Sequence, residues 1–132
     1  MPHKRPAELR SYTTVASRLA EERGLAAITA DALDRLGQPG LDPLTVADEL
    51  QRWREVVQLP MSTLAAPHND WVEFIGPSAR SVLDDAVQAL NWRAGAPLRA
   101  ELARLDPQFE RKTSHNPLAD PKLPWWSRRW AH

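Results

Sequence analysis

Apolar residues recur at spacings of three and four along most of this chain, which is the signature of helices with one buried face. Leu9, Tyr12, Ala16, Leu19 and Arg23 share such a face, behind a first-turn proline at Pro6 and ahead of a C-capping glycine at Gly24. A second helix is predicted from Leu25 or Thr29 to Leu36, with Ile28, Ala32, Leu33 and Leu36 inward. Gly37-Gln38-Pro39-Gly40 then breaks the pattern. Thr45 and Asp48 are spaced as a capping box ahead of the stripe Val46, Leu50, Trp53 and Val57, and Pro60 closes that helix.

Residues 61–69 read as a loop, after which Asn69 or Asp70 caps a short helix holding Trp71, Phe74 and Ile75. Gly76-Pro77 opens the next helix, whose apolar face is Ala79, Val82, Leu83, Ala86 and Leu90. Gly95 separates it from a helix begun by Pro97, in which Leu98, Leu102, Leu105 and Phe109 recur. Pro107 lacks an N–H and clashes one turn back, so it is expected to interrupt this helix and leave Asp106 capping a further short one. No segment sustains the alternation of a strand, and no internal repeat is visible.

The pattern changes at Thr113. Pro117, Pro121 and Pro124 fall within eight residues and favour extended or turning backbone. Three of the six tryptophans, Trp125, Trp126 and Trp130, follow with Arg128 and Arg129 among them. The expectation is therefore an all-α fold: a single compact domain of about five or six helices over residues 1–112, with an irregular, extended Pro/Trp/Arg-rich C-terminal tail over 113–132. Its core is expected to hold Leu50, Trp53, Val82, Leu83, Leu90, Leu102 and Phe109, with Trp71 and Trp92 on or beside apolar helix faces.

Composition narrows the function classes. The chain has 132 residues, enough for one hydrophobic core, and no cysteine. Disulfides and cysteine zinc sites are excluded, which fits a reducing, cytoplasmic setting. Residues 1–10 are charged and proline-bearing where a secretion signal needs an apolar stretch. The longest uncharged run, residues 56–69, is too short to span a bilayer and holds two prolines. No membrane span is therefore expected.

The zero net charge conceals an asymmetry. Residues 1–10 carry Lys4, Arg5 and Arg10 against Glu8, and residues 111–132 carry five cations against Asp120. Nine cations face fifteen acids in between. An acidic body with basic ends repels polyanions over most of its surface.

Three large aromatic rings in eight residues need shelter from water. The leading expectation is that Trp125, Trp126 and Trp130 fold back over a groove between the protein's own helices. Aromatic anchors beside arginines also match interface hot spots, so Trp125, Trp126, Arg128, Arg129 and Trp130 are the candidate partner-binding residues, for a protein partner or a second copy. Headgroup binding and stacking on single-stranded nucleic acid are weaker alternatives, because so few cations release few counterions.

Other chemistry finds little footing. The helices on either side of Gly37–Gly40 invite a helix-turn-helix reading. Their connection is too long for that motif, and the second helix exposes Asp48, Glu49, Gln51, Arg52, Arg54, Glu55 and Gln58, which together are acidic. His68-Asn69-Asp70 has the look of a ligand group but fits a helix cap better. Asp84-Asp85 and Glu21-Glu22 are sequence neighbours that diverge by about 100° on a helix and make no acid–base dyad. No phosphate loop, nucleophile elbow or zinc-protease motif is present. No cofactor, metal or catalytic residue is assigned. The expected function is a non-catalytic interaction or accessory protein docking through its tail, possible self-association included. The alternative is a nucleic-acid-binding regulator that uses the two basic ends.

The string Asn116-Pro-Leu-Ala-Asp-Pro-Lys-Leu-Pro-Trp-Trp-Ser-Arg-Arg-Trp130 resembles the C-terminal ends of small uncharacterised helical proteins from actinobacteria. The resemblance covers about the last fifth of the chain. It implies a GC-rich bacterial origin, as does the bias of 14 arginines to 3 lysines, and it carries over no functional residue.

Overall fold

Residues 14–64 and 70–131 are described by a computed structural model of the chain. Six α-helices lie among them. Helix α1 (Val15–Glu22) starts at Thr14, whose side chain accepts the Ser17 N–H. Its inward residues are Ser17 and Ala20, not Leu19, which is exposed. The reason lies in α2 (Ala27–Leu36), whose Asp31 accepts the Ser17 hydroxyl at 2.8 Å. A small polar residue at that contact lets the two helices approach. Leu9, Tyr12 and Pro6 lie outside the described residues.

Helix α2 is turned in the same way. Thr29, Ala30 and Leu33 are buried, whereas Ile28 and Leu36, expected inward, are exposed. The Thr29 hydroxyl donates to the Ala94 carbonyl at 2.6 Å, so a buried polar contact fixes the facing side. Gly37 closes α2 in the left-handed region, with φ +63°.

Helix α3 (Pro43–Gln58) is capped one turn earlier than the capping-box reading predicts. Asp42 accepts the Thr45 N–H at 3.1 Å and the Thr45 hydroxyl at 2.7 Å, with Pro43 in the first turn. The Thr45 hydroxyl, foremost, holds the Asp42 carboxyl below its ordinary range. Asp48 instead pairs with Arg23 of the loop after α1. Val46, Leu50, Trp53, Val56 and Val57 are buried, as the stripe requires.

Residues 61–64 form a short helix, α4 (Met61–Leu64), rather than loop. After it, Trp71–Ile75 make a single π-helical turn that runs into α5 (Gly76–Ala89). Pro77 has no N–H to give the carbonyl four residues back, and Gly76 N–H reaches five back, to Trp71 O. A β-carbon at Gly76 would stand 2.6 Å from that same oxygen, so any larger residue forces the turn to shift.

Helix α6 (Trp92–Lys112) corrects the reading of residues 92–112 most strongly. It is one continuous helix, capped by Asn91 on the Ala94 N–H, and it runs through Gly95, Pro97 and Pro107. Each internal proline costs about 3 kcal/mol in an isolated helix. Here Leu98, Leu102, Leu105 and Phe109 are all buried along the same face. Asp106, expected to cap a new helix, accepts Trp53 Nε1–H at 3.1 Å and two bonds from Arg80. Tertiary contacts on both sides of Pro107 therefore outweigh its local preference.

The core centres on Trp53 and Phe109, whose rings lie 4.8 Å apart. Val82 and Leu90, expected inside it, are half-buried and pack against its edge. Beyond α6 the chain forms strand β1 (Thr113–His115), a run of turns, a 3-10 turn at Trp125–Ser127 and strand β2 (Arg129–Ala131). The two short strands pair antiparallel, with Ser114 opposite Trp130. The irregular tail thus folds back over the helices.

Candidate functional site

The five tail residues fall into different environments. Trp125 continues the core ring row, 6.4 Å from Phe109, and meets Trp126 edge-on at 5.8 Å. Trp126 is only 7% exposed; its Nε1–H donates to Ser81 Oγ at 2.9 Å, and the Arg80 guanidinium sits 4.3 Å from its ring centre. Both rings are sheltered by their own chain. Arg129 donates to the Thr113 hydroxyl and to the carbonyls of Glu110 and Thr113, closing the C-terminal end of α6 with a cation. Arg128 keeps its Nε buried and, among the described residues, without a hydrogen-bond acceptor. Trp130 stands apart at 41% exposed, on the strand that lies against the π-helical turn.

That turn forms one wall of a cleft of about 440 Å³, lined by Arg52 of α3, Trp71, Phe74 and Ile75 of the turn, and Ser78 of α5. Phe74 is 64% exposed, an unusual position for a phenylalanine. The π register explains it. Widening the turn puts Trp71 and Val72 toward the core while Phe74 projects outward. Arg52 donates to Glu49 Oε1 at 2.6 Å, so its charge is partly neutralised by its own helix.

The sequence places Trp71, Phe74 and Ile75 in one short helix and does not connect them to Arg52. The available signal was Gly76-Pro77 directly after them, which forbids a regular ladder at that point.

Trp92 corrects a second expectation. It is 78% exposed, with the Arg99 guanidinium 3.7 Å from its ring centre, and it does not join the core. His68 and Asn69 lie outside the described residues, and Asp70 is exposed. Among the described residues no three His, Asp or Glu side chains converge as a metal site. Asp84 lies 3.9 Å from Arg80 Nη1, and Asp85 is exposed beside it. Glu101 bridges Arg104 and Arg54; the hydrogen bond from Arg104, then that from Arg54, holds its carboxyl below the ordinary range. The carboxylates of Asp84, Asp85 and Glu101 do not line the cleft. No described helix is long and apolar enough to cross a membrane.

Comparison with known proteins found no matching family model, no matching curated protein and no matching solved structure.

Proposed function

We propose that this protein is a non-catalytic interaction module that docks a protein partner at the cleft beside the π-helical turn. The observation that carries the reading is the exposed Phe74 at the mouth of an aromatic-lined cleft, with Trp130 on the neighbouring strand. A cleft of this size falls within the roughly 300–1,000 Å³ of small-ligand sites and suits one large apolar side chain. In this reading the tail serves two ends. Trp125 and Trp126 brace the body, and Trp130 borders the docking face. The arginine-rich, cysteine-free composition supports a bacterial, cytoplasmic setting.

Nucleic-acid binding through the basic ends is less supported. Of the five cations in residues 111–132, Arg129 and Lys112 donate to backbone carbonyls, Lys112 to those of Val57 and Leu59. Fewer side chains are then free to reach phosphates.

The test is comparative affinity capture with the wild type and Phe74→Asp, both confirmed folded by circular dichroism. A partner retained by the wild type and lost by the variant supports the reading. Identical capture by the two overturns it.

A further inference from the structure

The surroundings of the cleft are acidic. Asp70 and Glu73 lie on or next to the turn that forms one wall, and both are exposed. Glu49 and Glu55 sit three residues either side of Arg52 on α3, on neighbouring positions of the same helix face. Arg52 and Glu49 neutralise one another, which leaves Asp70, Glu73 and Glu55 as the exposed acids of this surface. Of the nearby tail, Arg129 is held on the carbonyls at the C-terminal end of α6.

An exposed aromatic ring beside the exposed carboxylates of Asp70 and Glu73 is complementary to a cation on an apolar stem. The ring face attracts it through its quadrupole and the carboxylates through charge. Resting on the docking reading above, we infer that the occupant of the cleft is a peptide segment with one large apolar anchor flanked by arginine or lysine. The anchor fills the space between Trp71, Ile75 and Ser78. A flanking guanidinium lies over Phe74 and within reach of Glu73 and Asp70.

Three acetylated, amidated pentapeptides test this, each with a central phenylalanine flanked by two arginines, two serines or two glutamates per side. Binding to the full chain is read from the Trp71 indole and Phe74 ring resonances. The arginine peptide should bind roughly tenfold more tightly than the serine peptide at low salt, and lose that advantage as salt rises. The glutamate peptide should bind most weakly. In the double variant Asp70→Lys, Glu73→Lys, which alters only exposed side chains, the order should reverse. If all three peptides shift these resonances with equal affinity, the charge preference falls while the docking cleft stands. If none shifts them, both fall.

Discussion

Arg80 and Asp106 form a two-pronged ion pair across the helix interface, Nε to Oδ1 at 3.0 Å and Nη2 to Oδ2 at 2.9 Å. Arg80 is almost wholly buried, and its partner carboxylate also takes the Trp53 indole N–H. Removing the acid strands a guanidinium and an indole donor together. Asp106→Ala should therefore lower unfolding stability by roughly 2–4 kcal/mol. Urea titration followed by circular dichroism checks this. A loss below about 0.5 kcal/mol, the level of an ordinary surface change, would show that the pair contributes nothing.

The tail tryptophans should separate cleanly by position. Trp126→Ala empties a buried site and breaks the bond to Ser81, so it should cost about 3–5 kcal/mol. Trp130→Ala, at a part-exposed strand position, should cost less than about 1 kcal/mol. Deleting residues 117–132 should destabilise the helices at least as much as Trp126→Ala. Equal effects of the two point changes would mean that the tail is not seated as described.

Gly76→Ala places a β-carbon against the Trp71 carbonyl oxygen and close to Val56 Cγ1. The π-helical turn must shift to accept it, at a cost of about 1–3 kcal/mol. The measurable consequence is local. The Trp71 and Phe74 resonances should move while those of Trp92, on another helix, stay in place.

Stability should fall in acid through Glu101. Its carboxyl lies below its ordinary value of 4.5 in the folded chain, chiefly through Arg104 and then Arg54. A depressed carboxyl stabilises the fold above the unfolded value and loses that contribution as pH falls through the folded one. The loss should begin near pH 4.5 and deepen below it. Glu101→Gln should flatten that part of the stability profile; an unchanged slope would assign the acid sensitivity elsewhere.

The helical class was legible because burial repeats faithfully at three and four in α3 and α6. Val46, Leu50, Trp53 and Val57 point where their spacing says. Rotation of α1 and α2 was not legible, because it is decided by Ser17–Asp31 and Thr29–Ala94, polar contacts between residues far apart in sequence. Pro107 misleads for the same kind of reason: a local rule meets the Asp106 hub and the buried Phe109. The cleft is harder still. Trp71 and Phe74 are visible in the sequence as aromatic residues. That one turns in and the other out follows from a helical register only Gly76-Pro77 betrays, and Arg52 arrives from another helix.

The edge-on meeting of Trp125 and Trp126, 5.8 Å apart with planes at 84°, also has an optical consequence. Two indole chromophores held that close, in one fixed and chiral arrangement, mix their excited states. The pair should give the protein a paired positive and negative band in its ultraviolet circular dichroism. Because that band needs both rings seated, it fades when the tail lifts from α5 and α6, even while the helices remain intact.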